Sequence, residues 1–96
     1  MASTIDEITV NFSDEEGILL CKELEKVVLS KGAWVTLMFK FQNFEKSSGN
    51  YGEPKFAIRR YQKVAGEYRS KSKFNISSVA QAQMIVDTLS KWIKEA

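Results

Sequence analysis

From residue 34 to 44 apolar and polar positions alternate. Val35, Leu37, Phe39 and Phe41 point one way; Trp34, Thr36, Met38, Lys40, Gln42 and Phe44 point the other. A period of two, rich in β-branched and aromatic residues, predicts a strand. The run Ser47-Ser48-Gly49-Asn50-Tyr51-Gly52-Glu53-Pro54 is dense in turn formers and ends it. A second strand follows over 55–63, with Phe56 and Ile58 on one face and Lys55, Arg59, Tyr61 and Lys63 on the other. Ala65-Gly66-Glu67 makes a hairpin tip, and a third strand spans 68–76, where Arg69, Lys71 and Lys73 oppose Phe74 and Ile76 in parity.

Beyond residue 77 the period lengthens. Ala82, Ile85, Val86, Leu89, Trp92 and Ile93 recur at three- and four-residue steps, the signature of one apolar helical face. Ser78 with Gln81 three residues on fits a capping box, and Lys91 and Lys94 suit the negative end of a helix, so a helix is predicted over 78–95. It is expected to cover one face of the sheet. Its apolar surface exceeds what one small sheet needs, so Leu89, Trp92 and Ile93 are expected to meet a second copy of the chain.

Residues 13–31 support two readings. Ser13-Asp14-Glu15-Glu16 resembles a capped helix start and Lys31-Gly32 a helix stop, with Leu20, Leu24 and Val27 at helical spacing. Against this, Val27-Val28-Leu29 is strand-like and Ser30-Lys31-Gly32-Ala33 can turn a hairpin. Local signals favour the helix. Residues 1–12 read as a tail or as an edge strand from Ile8 to Phe12.

Composition limits the chemistry. Ninety-six residues suffice for one domain. The chain has no His, and its lone Cys21 lies in the apolar run Ile18-Leu19-Leu20-Cys21, the setting of a buried structural thiol. One thiol forms no internal disulfide and builds no zinc site. No apolar stretch is long enough to span a membrane, and Met1-Ala2-Ser3-Thr4-Ile5-Asp6-Glu7 lacks the marks of a signal peptide. A non-enzymatic protein without cofactor or metal, in a reducing, cytoplasmic compartment (nucleoid-associated in a prokaryote), is expected.

The net charge of +2 conceals a segregation. Residues 1–30 carry seven acids against two bases, a balance of −5, whereas residues 31–75 carry ten bases against three acids, a balance of +7. Division into an acidic leader, 1–16, and a binding domain, 17–96, follows. With strands 55–63 and 68–76 as neighbours, Lys55, Arg59 and Lys63 lie beside Arg69, Lys71 and Lys73 on one face, joined by Tyr61 and by Lys40. Phosphates need cations at their spacing, and unpaired bases need flat rings to stack on. That face reads either as a nucleic-acid platform or as the solvated side of an ordinary two-layer domain.

The run Ile58-Arg59-Arg60-Tyr61-Gln62, the hairpin Lys63 to Glu67, Lys71-Ser72-Lys73-Phe74-Asn75-Ile76-Ser77 and the helix with Gln81 and Leu89 together resemble the transcriptional positive-cofactor-four family of single-stranded-DNA-binding coactivators. The resemblance spans about residues 34–93. It implies an α+β fold, a four-stranded antiparallel sheet followed by the C-terminal amphipathic helix, assembled as a homodimer through the helices. It also implies a strand at about 23–30, against the local helix signals. Arg59 falls on the family's DNA-facing arginine and Lys73 on a basic position before the helix, while Phe41 or Phe44 fills the place of a base-stacking aromatic. Gln62 stands where the best-known members carry Trp, and no Ser/acid-rich regulatory tail precedes the domain. Single-stranded DNA binding, with RNA as a variant ligand, is the function implied. A protein-interaction module of the same fold is the alternative, in which the acidic leader takes a basic partner or folds back on the basic sheet as a competitor.

Overall fold

The computed structural model describes residues 2–96. Six strands form one antiparallel sheet: β1 (Phe12–Ser13), β2 (Leu19–Ser30), β3 (Trp34–Glu45), β4 (Asn50–Tyr51), β5 (Lys55–Val64) and β6 (Glu67–Ile76). Their order is β1-β2-β3-β5-β6, with β4 against the far end of β3, and one helix, α1 (Val79–Glu95), follows. The fold is α+β as expected, but the sheet has six strands rather than four. The two additional ones are short: β1 pairs the start of β2, and β4 pairs Phe44 and Glu45 of β3.

The helix-like signals at 13–16 belong to a turn. Asp14 Oδ1 accepts hydrogen bonds from the backbone N–H of Glu16 (3.0 Å) and of Ile18 (2.9 Å), and Gly17 takes φ +87°. The side chain of Asp14 thus does what a helix cap would do, but closes the β1–β2 turn instead. The helix expected further on is present, and Ser78 Oγ accepts from the Gln81 N–H at 3.1 Å while Gln81 Oε1 accepts from the Ser77 N–H at 3.0 Å.

Cross-strand register defines two faces. On the inner face, Val35 pairs Tyr61, Leu37 pairs Arg59, Phe39 pairs Ala57 and Phe41 pairs Lys55. This row is sealed by residues 2–10 rather than by α1: Ile8 and Val10 are buried against Val35, Leu37, Phe39 and Tyr61, with Ala2 and Ile5 packed alongside. Lys26, opposite Phe39 on β2, anchors the cover, donating its Nζ to the carbonyls of Ile5 (3.0 Å), Asp6 (3.3 Å) and Ile8 (2.8 Å). Thr9 donates to Glu23 Oε1 at 2.7 Å, and the Ala2 carbonyl accepts from the Tyr68 N–H at 2.8 Å. Residues 2–10, within the segment read as an acidic leader, thus complete the core.

The outer face is open. Val27, Met38, Ile58 and Phe74 form one apolar row across all four long strands, and no helical residue is buried. The expectation that α1 covers one sheet face is therefore corrected: the helix touches β6 near its start and projects from the sheet. The radius of gyration is 15.4 Å, against about 12.5 Å for a compact chain of this length. The accessible surface is 6803 Å², against roughly 5,600 Å² for a compact monomer of this mass.

Candidate nucleic-acid interface

Strand parity brings part of the expected basic set together and divides the rest. Arg59 and Lys73 are direct cross-strand neighbours on the inner face, and Lys55 lies on the same face two rows along. Lys63 is there too, its ammonium 5.3 Å from the centre of the Tyr68 ring. Lys40 is not: it pairs Phe56 and points to the outer face. In β6 the register jumps from Arg60 opposite Ser72 to Tyr61 opposite Ser70, so Lys71 occupies a bulge. One extra residue flips the parity of all that precede it. Arg69 consequently faces outward, opposite Gln62, instead of joining Lys73.

The expected stacking aromatics are largely enclosed. Tyr61 and Phe41 are each 7% exposed, beneath and beside the N-terminal cover. Phe44 is half-buried and meets Tyr51 edge-on, with ring centres 5.4 Å apart. Leu89, Trp92 and Ile93, the expected dimer residues, are exposed on α1. Leu89 and Trp92 line an apolar hollow with Met84 and Ile85.

Where the inner row of β3 and β5 runs out beyond the cover, the surface opens into a cleft of about 300 Å³. Lys55 and Arg59 supply its charge, Asn43, Asn75 and Ser77 its neutral polar groups, and Cys21, Phe41 and Ile76 its apolar lining. Arg59 Nε is buried here without a hydrogen-bond partner. A desolvated guanidinium donor left unpaired is costly, and the same side chain lines the cleft. Burial pushes the Cys21 thiol above its ordinary pKa, and the neighbouring Arg59 cation partly offsets the shift. The sequence reads Cys21 as a buried structural thiol; it is instead half-buried, in the wall of a cationic cleft.

Two residues outside the expected set stand out. Trp34, 39% exposed, carries the Arg60 guanidinium 4.7 Å from its ring centre on the outer face. Trp34 is also the direct cross-strand neighbour of Gln62, which in turn faces Arg69. Parity was the available signal for Trp34, which shares the phase of Lys40 and Phe44 on β3, whereas Arg60 lies one residue out of phase with Arg59 and Tyr61.

The chain matches no family model, no curated protein and no solved structure. Among the described residues, no group of His, Cys, Asp and Glu could hold a metal ion, and no helix is long and apolar enough to cross a membrane.

Proposed function

We propose that this protein binds single-stranded nucleic acid, DNA in the first instance, as a homodimer and without catalysis. Arg59 carries the reading: its side chain, with one guanidinium N–H buried and unpartnered, lines a cleft shared with a second cation, which suits an anion. Lys73 opposite Arg59 extends the positive field along β6. The amides of Asn43 and Asn75 offer donors and acceptors to Watson–Crick base edges, which only an unpaired strand leaves free. The resemblance to the positive-cofactor-four family points the same way and puts the same arginine against the strand.

Surface area supports the assembly. Fourteen large apolar side chains among the described residues are exposed, against nine apolar residues buried. The excess over a compact monomer, about 1,200 Å², is of the size that each partner loses in a specific interface or more. The α1 stripe of Met84, Ile85, Leu89 and Trp92 contributes part of it in one apolar strip.

Fluorescence anisotropy with labelled oligo-dT, repeated with duplex, tests the binding. About five phosphate contacts give a log–log salt slope near −3.5 for a single strand. Arg59→Glu and Lys73→Glu should each weaken binding while the far-ultraviolet spectrum is unchanged. Equal or tighter duplex binding, or affinity independent of salt, overturns the reading. Light scattering at 10.9 kDa rather than twice that overturns the dimer.

A further inference from the structure

We infer that the bulge in β6 turns the basic row around the free edge of the sheet and leads a bound strand from the Arg59 cleft to a base-stacking platform at Trp34 on the outer face. This rests on the binding proposed above and adds a second contact surface to it.

The path is set by register. Lys73 lies on the inner face beside Arg59, Lys71 sits in the bulge, and Arg69 lies on the outer face in the row of Gln62 and Trp34. β6 is the last strand in the sheet order, so no neighbouring strand blocks the crossing. From Lys73 to Arg69 the chain advances roughly 13 Å. Three cations thus change face in sequence along one edge. A regular strand would have kept all three on the inner face.

The platform answers a need that the inner face leaves unmet. Unpaired bases require an open ring, and Tyr61 and Phe41 are each only 7% exposed. Trp34 is open, and the stacked Arg60 fixes the orientation of its indole. Gln62, between Trp34 and Arg69, adds an amide able to meet a base edge. Positive charge beside an exposed indole, from Arg60 at its ring and Arg69 beyond Gln62, matches a ligand that alternates phosphates with flat bases. An apolar protein partner would have no use for it.

The test labels both tryptophans with 5-fluorotryptophan and follows their fluorine signals, assigned with Trp34→Phe, as oligo-dT is added to the full chain. The Trp34 signal should shift in step with binding measured by anisotropy. Trp34→Leu, which keeps apolar bulk but removes the ring, should lose about tenfold or more in affinity, and Trp34→Phe should retain most of it. Arg69→Gln should flatten the salt slope by about 0.7. Binding by anisotropy with an unmoved Trp34 signal, or a Trp34→Leu variant that binds as the parent does, overturns this inference and leaves the proposed function standing. No binding of oligo-dT at all overturns both.

Discussion

The two faces of this sheet carry similar apolar rows and treat them differently. On the inner face Val35, Leu37 and Phe39 are fully enclosed, because Ile8 and Val10 cross over them and Lys26 holds the crossing segment by three of its carbonyls. On the outer face Val27, Met38, Ile58 and Phe74 run across four strands, and Phe74 remains 53% exposed. Burial, not composition, decides what a row does. The enclosed row stabilises the monomer. The open one, with the bare stripe of α1, contributes little until something covers it. The same contrast separates the two candidate contact regions: the inner cleft is half-closed and suits a phosphate, whereas the outer platform is flat and suits a base.

The largest effect should come from uncovering the inner row. Ile8→Ala should cost roughly 2–5 kcal/mol in thermal or denaturant unfolding. Such a loss is a large share of the total stability of a small domain. If residues 2–10 were a competitor resting on a finished domain, Ile8→Ala would leave the midpoint unchanged and tighten oligonucleotide binding. Lys26→Met should come next, at about 1.5–3 kcal/mol, because charge-assisted bonds to the Ile5, Asp6 and Ile8 carbonyls are lost together. A midpoint within error of the parent would show that the cover is held by its apolar side chains alone.

A smaller effect, of opposite sign, tests whether stability can be moved without touching either face. Ala65 and Gly66 form the two-residue tip of the β5–β6 hairpin with φ of +51° and +82°, the primed turn that Asn-Gly adopts best. An alanine there carries left-handed strain that glycine or asparagine relieves. Ala65→Asn should raise stability by roughly 0.5–1 kcal/mol in denaturant unfolding. Oligonucleotide affinity should stay the same, since residue 65 belongs to neither contact region.

Much of this organisation was legible in the sequence where local period and local breakers agree. β3, β5, β6 and α1 fall within about a residue of the spans read from alternation, Ser47–Pro54 and the Ser78 cap. β2 was harder, since Asp14 uses one side-chain geometry to close a turn that it could equally use to cap a helix. The bulge at Lys71 was invisible, because alternation alone cannot reveal one extra residue in one strand. That single insertion divided the expected basic row and moved Arg69 to the other face. The cover was missed for a different reason: Ile8 and Val10 are an unremarkable pair in sequence, and their role comes from where Lys26 holds them. Exposure of α1 was anticipated in part, from the bulk of Trp92, but its projection from the sheet beyond its start was not.

The smallest expected effect breaks or sharpens the comparison most directly. Phe74 on β6 and Phe39 on β3 are the same residue type on two strands of one sheet, one open and one sealed. If the outer row is uncovered in solution, Phe74→Ser should change stability by no more than about 0.5 kcal/mol, as for other exposed positions. The measurement is an unfolding midpoint taken at two protein concentrations well apart. A small, concentration-independent change keeps the outer row open and leaves the assembly to α1. A loss that grows with concentration would mean that a second copy covers Phe74, because destabilising a dimer interface is felt only where the dimer is populated. In that case the outer row would belong to the interface, and the basic track from Lys73 to Arg69 would run along the rim of the joint between the two copies.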